Sequence, residues 1–300
     1  MIFNACQKEE LNTTIEEVET PEVFFKENRV AFNSVENYEN VVLTSDSKVI
    51  RNLDEINQSS LKQLKSTESS DGLYDDFLLS ILNEDKIVQI GQWIIKVDLE
   101  SEIVSALSED NINFYNDLVN DVDNDSIFQF STDDDVLYLL DMGVKGTISS
   151  DKFKKKWWKK CKDSRADARK STISNVGMLT SRQELVVRYF KAGIYFTLYA
   201  KVKNSGAYFG SEDAQVTMDV EYEFDDRCDR SYSRSHRHII KTGRLPFGNV
   251  TQNVYRHVRN LARYRLDTHY SIKYYNFYGD YIGTLNHYLT IRSNMNNWKN

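Results

Sequence analysis

Three short stretches hold residue types whose spacing could do chemistry. In the basic run 151–170, Lys154, Lys155 and Lys156 lead into Trp157 and Trp158, and Lys159 and Lys160 follow. Lysines so placed would meet phosphates, lipopolysaccharide or acidic glycans, while the indoles stack or sit at a membrane interface. The same composition suits a solvated connector that faces an acidic segment. Asp121, Asp123 and Asp125 in DVDNDS offer hard oxygens at alternate positions, as a calcium loop would. An EF-hand wants glycine and then glutamate where Ser126 and Thr132 stand, so the expectation is a looser calcium site or a solvated acidic loop. Ser235-His236-Arg237-His238 places two imidazoles on one face if the segment is a strand. They would bind a metal if His257, His269 or His287 supplied a third ligand, and otherwise form a solvent face.

Signatures of catalysis are thin. The chain has no GxSxG, no HExxH, no P-loop and no CxxC. Paired carboxylates of a glycosidase leave no local spacing rule, so they stay open as an alternative. Tyr195, Phe196, Tyr199, Tyr222, Tyr264, Tyr270, Tyr274, Tyr275 and Tyr278 could line a carbohydrate groove or fill a core. No cofactor is expected, and no catalytic residue is assigned.

The elements that must position these groups follow from periodicity. Residues 1–22 are polar and acidic and read as a tether. Residues 23–150 read as an acidic α+β region. VFFKENRVAF suits a strand, and spaced apolar positions over 34–65 suit short helices. Leu73, Phe77, Leu78, Ile81 and Leu82 predict a helix over 73–82. IVQIGQWIIKVDL is β-rich, interrupted by Gly91, and SEIVSAL reads as a further strand. Ser131, ahead of Asp133–Asp135 and an apolar run, suits a helix N-terminus that ends near Gly143. Residues 151–183 read as a basic connector. Residues 184–300 read as strands rich in Val, Ile, Thr and Tyr, which points to an antiparallel β-sandwich or barrel. VYRHVRNLARYR also fits a helix, because Val254, Val258 and Leu261 would share a face. The fold class expected is therefore α+β, with a C-terminal antiparallel β-sandwich-like domain.

Composition bounds the class. The 300 residues are 40% hydrophobic and 12% aromatic, enough for a core. Net charge is −7, but residues 1–150 hold 31 Asp/Glu against 10 Lys/Arg, and residues 151–300 hold 14 against 28. Such opposition marks either a polyanion-binding half or two halves that attract each other. No run approaches the roughly 18 apolar residues of a membrane-spanning helix, so any membrane attachment is expected through lipid or surface contact.

The N-terminus supplies the address. Phe3-Asn4-Ala5-Cys6 resembles the end of a lipobox, and Gln7-Lys8-Glu9-Glu10 resembles the polar tag of Bacteroidota surface lipoproteins. A lipobox is preceded by a basic and then an apolar segment, which Met1 to Ala5 do not contain and which is expected upstream in the gene. Residues 73–107 resemble segments of uncharacterised lipoproteins of the same phylum. The resemblance implies acylation at Cys6, a place at the outer membrane or cell surface, and no particular activity. Outside the cytoplasm, the remaining Cys161 and Cys228 are a candidate disulfide. The expected function is a binding or structural envelope lipoprotein. The expected partners are a membrane, through the lipid, and an envelope glycan, lipopolysaccharide or protein, with no nucleic acid. The alternative is a surface hydrolase acting on glycan or another polymer.

Overall fold

The computed structural model describes residues 23–45, 47–57, 75–145, 168–175, 182–204, 213–225, 234–245, 250–261, 263–275 and 278–293. The chain is α+β, with an N-terminal six-stranded sheet carrying helices and a C-terminal pair of four-stranded antiparallel sheets. The first stretch expected as one strand is a hairpin, β1 (Val23–Lys26) and β2 (Arg29–Phe32). Its two turn residues, Glu27 and Asn28, both take positive φ, which matches the twist of a two-residue hairpin.

β2 pairs in parallel with β3 (Ile87–Ile90), and parallel neighbours need a long crossover. That crossover carries α1 (Val35–Thr44), α2 (Ser47–Ile56) and α3 (Asp76–Ile81). Ser34 Oγ accepts from the Asn37 amide at 3.0 Å and the Asp75 carboxylate accepts from the Leu78 amide at 2.8 Å, satisfying helix donors that have no partner within the helix. Tyr38, Val42, Phe77, Leu78 and Ile81 pack on Phe32, Val88, Ile90 and Ile95 of the sheet. β4 (Trp93–Asp98), β5 (Ile103–Ser108) and β6 (Ile127–Ser131) complete it in antiparallel order. A 3-10 turn, Glu109–Phe114, and α4 (Tyr115–Val119) cover the other face over Ile87, Ile94 and Leu107. Ser131 does not cap the next helix. It ends β6, accepts from the Asp133 amide and donates its own amide to Asp134, and α5 (Val136–Lys145) begins beyond that turn.

The second half folds as a sandwich. β7 (Ala168–Asn175), β8 (Arg182–Lys191), β9 (Phe196–Asn204) and β12 (Val250–His257) form one sheet, in the order β12-β9-β8-β7. β10 (Asp213–Asp225), β11 (Arg234–Leu245), β13 (Arg263–Tyr275) and β14 (Tyr281–Arg292) form the other, in the order β11-β10-β13-β14. Part of the expected connector is thus the edge strand β7. The segment from Val250 is strand rather than helix, because it pairs along the edge of β9 with a bulge between Asn253 and Tyr255. Strict alternation along β13 sends Tyr264, Leu266, Tyr270, Ile272 and Tyr274 inward against Leu185, Val187, Leu198 and Ala200. The Tyr270 hydroxyl spans the core and donates to the Val186 carbonyl at 2.7 Å.

The two units share a core. The β8–β9 turn carries Ala192, Ile194 and Tyr195 into the apolar cluster of the N-terminal unit. Gly193 sits at the tip with φ +73, where a Cβ would lie 2.8 Å from Val104 Cγ2 and 2.9 Å from Val136 Cγ2. The Val136 amide donates to the Gly193 carbonyl at 3.1 Å.

Candidate functional site

Charge explains how the halves meet. Lys191 pairs with Asp133, Lys201 with Asp76 at 3.8 Å, and His257 Nε2 lies 3.3 Å from Glu39 Oε1, each acid coming from the first half and each basic side chain from the second. Asn260 adds neutral bonds: its amide donates to Asp135 Oδ1 at 2.6 Å and its side chain donates to the Asp133 carbonyl at 2.8 Å. The opposed net charges therefore serve, at least in part, to join the units.

A buried polar nest lies in this joint. Arg256 on β12 reaches α1 and donates to the Ser45 carbonyl and to Ser45 Oγ, while its Nε is buried without a partner among the described residues. Asp75, at the start of α3, has an enclosed carboxyl although the residue keeps some exposure, and burial raises its pKa against the pull of Arg256. Burial, and then the Asp75 charge, push the Tyr38 and Tyr195 hydroxyls well above their ordinary value. Asp75 and Tyr195 influence each other without reaching a full hydrogen-bond geometry, and neither tyrosine hydroxyl has a hydrogen-bond partner among the described residues.

The outer face of the β11-β10-β13-β14 sheet is the surface best equipped to meet a ligand. Register places Asp219, His269 and Tyr288 in one row, and Glu221, Asp267 and Thr290 in the next. The Tyr288 ring stacks on His269 with centroids 4.3 Å apart and planes 13° apart, yet stays 72% exposed. Farther along the same strands, Tyr275 and Tyr281 meet edge to face at 6.2 Å, and the exposed Tyr281 hydroxyl shares a 2.7 Å hydrogen bond with Thr284. Six residues separate His269 from Tyr275 along β13, about 20 Å at strand rise. Between the two aromatic ends lie the short polar rows Ser271–Asn286 and Lys273–Thr284.

The sequence candidates fare unevenly. Tyr195, Phe196, Tyr222, Tyr264, Tyr270 and Tyr274 are core, whereas Tyr278 is exposed. Tyr281 and Tyr288 belong to the exposed strip, and nothing in residue type distinguishes them from the buried tyrosines. Asp121 takes positive φ and accepts from Lys96 Nζ at 2.6 Å, while Asp123 and Asp125 are exposed. No group of three or more potential metal ligands gathers around them among the described residues. His236 and His238 lie on β11, opposite Glu223 and Glu221. Cys6, Cys161, Cys228, Lys154, Lys155, Lys156, Trp157, Trp158, Lys159 and Lys160 lie outside the described residues. No described helix is long and apolar enough to cross a membrane.

No family model and no curated protein matches the chain. Among solved structures, the chain is similar to a DUF4848 family protein from Bacteroides thetaiotaomicron at 12% identity, over 90% of this chain and 100% of that one, with a TM-score of 0.18. At that score the likeness carries no argument about fold or function.

Proposed function

We propose that the chain is an envelope lipoprotein, acylated at Cys6, that binds an extended glycan along the outer strip of β13 and β14. The carrying observation is the Tyr288 ring, which is held flat by His269 and left open to solvent. A sugar ring presents an apolar C–H face that packs on such a platform, and its hydroxyls need nearby short polar groups such as Ser271, Asn286 and Thr290. Two aromatic ends about 20 Å apart suit a chain of several sugars better than a single one. Charges of both signs flank the strip, with Asp267 and Asp219 beside Arg265 and Lys273, which favours an uncharged ligand over a polyanion.

Affinity electrophoresis through gels containing neutral, acidic and amino-sugar polysaccharides tests the binding reading. The native protein should be retarded by a neutral glycan, and Tyr288→Ala should weaken that retention about tenfold, the equivalent of ~1.4 kcal/mol. No retardation in any gel, or equal retardation of the variant, removes the proposal. For the tether, Cys6→Ala in the full-length gene should move the protein from the membrane fraction to the soluble fraction, and an unchanged distribution removes the lipid. A hydrolase is the second reading, favoured by Glu221 and Asp267 directly opposite each other, where Cβ atoms lie about 5 Å apart. Release of reducing ends from the retained glycan, abolished by Glu221→Gln, would replace binding with cleavage.

A further inference from the structure

We infer that the Arg265–Arg292 end of the β13–β14 strip is an oxyanion subsite, which takes a carboxylate or a sulfate ester at one end of an otherwise uncharged glycan. The inference rests on the glycan reading above and narrows the class of ligand. Burial assigns the face: Leu266, Leu289 and Ile291 lie in the sandwich core, so Arg265 and Arg292 point outward on the side of Tyr288. The ladder sets Arg292 directly opposite Arg265. Paired strand positions have Cβ atoms about 5 Å apart, and like charges so placed destabilise a sheet. An oxyanion between the two would turn that repulsion into attraction. Planar guanidinium forks also match the oxygen spacing of such groups better than lysines do.

The two arginines differ in a useful way. Asp267 Oδ2 holds Arg265 Nε at 2.5 Å, which orients that guanidinium while its side chain stays 52% exposed. Arg292 is exposed and has no ion pair among the described residues, and Asn294 to Asn300 carry no acidic side chain. The β10 acids Glu221 and Glu223 sit one strand farther from the edge, and each is already engaged. Because β14 is the edge strand, Arg292 is the outermost charge of its row. It lies four residues beyond Tyr288, about 13 Å at strand rise, with the exposed Thr290 between. A glycan stacked on Tyr288 therefore meets the arginines with its end. Asp219 in the Tyr288 row and Asp267 in the Thr290 row repel further negative charge, so the strip accepts acid at that end and not along the chain.

The test probes the full chain on an array of matched hexasaccharides. Each neutral hexasaccharide is paired with the same chain ending in a uronic acid and with the same chain ending in a sulfate ester. The expected result is that at least one acid-ended form binds about tenfold more tightly than its neutral partner, and the two acidic arms tell carboxylate from sulfate. That preference should shrink as salt rises, while binding of the neutral partner holds. Arg292→Gln should remove the preference and leave neutral binding unchanged, whereas Tyr288→Ala should weaken both members of a pair alike. Arg292 is exposed and opposes a like charge, so the Gln variant should fold with an unchanged or higher urea midpoint. Neutral chains that bind as tightly as both acid-ended forms overturn the subsite and leave the glycan reading standing. A preference that survives Arg292→Gln also overturns the subsite. Absence of binding to every member overturns the glycan reading and the subsite together.

Discussion

Replacing Gly193 by alanine should reveal how tightly the two units are joined. Gly193 occupies φ +73, and an L residue in that region costs about 1–2 kcal/mol. The added Cβ would fall 2.8 Å from Val104 Cγ2 and 2.9 Å from Val136 Cγ2, inside van der Waals contact. Both valines are fully buried and β-branched, so relief requires leaving a rotamer well or shifting backbone, a cost of about 1–3 kcal/mol. The sum is about 2–5 kcal/mol, read as a lower urea midpoint at unchanged slope, or a Tm lower by roughly 4–20 °C. Gly279→Ala is the internal control. Gly279 has φ +85, and a Cβ added there would meet nothing within 4 Å, so it carries the backbone cost alone. Gly193→Ala should exceed Gly279→Ala by about 1–3 kcal/mol. Equal losses in the two variants would refute the claim that the β8–β9 tip is wedged into the N-terminal core.

The polar nest yields two more outcomes. Tyr38→Phe removes a buried hydroxyl that has no hydrogen-bond partner among the described residues, so stability in urea should hold or rise by up to about 1 kcal/mol, and a loss larger than that would show the hydroxyl to be bonded. Asp75 has a raised pKa, so the folded chain binds its proton more readily than the unfolded one, and its stabilising contribution is present below the ordinary carboxyl value and is lost as pH rises through the raised one. Asp75→Asn keeps a helix-capping oxygen and removes the charge, so it should equal or exceed the native chain in stability at pH 7, with the advantage shrinking toward about pH 4. An Asn variant that loses more stability at pH 7 than at pH 4 would show that attraction to Arg256 outweighs burial.

Local pattern made much of the fold legible. The apolar spacing over 73–82 marked α3, the glycine at 91 marked the β3–β4 turn, and alternation over residues 263–275 marked β13. The long stretch from Glu184 concealed a hairpin, because Ala192-Gly193 is a short turn in an otherwise continuous apolar run. The segment 250–257 satisfied a helical spacing as well as a strand one, and the vacant edge of β9 decided between them. β6 went unread because its five residues sit within an acidic stretch and pair only with the distant β5.

By itself, the sequence determined which residues alternate, which stretches of the first half turn helical, and that two oppositely charged halves follow one another. Those properties are local or additive, and each is carried by neighbours in the chain. Only the tertiary structure decided that Tyr270 is core while Tyr288 is a solvent platform, that His238 stands opposite Glu221, and that a glycine of the second half closes the core of the first. Alternation defines two faces of a strand but not which one another sheet will cover. Register between strands is set by pairings dozens of residues apart, so the neighbours of a surface side chain exist only once the sheet does.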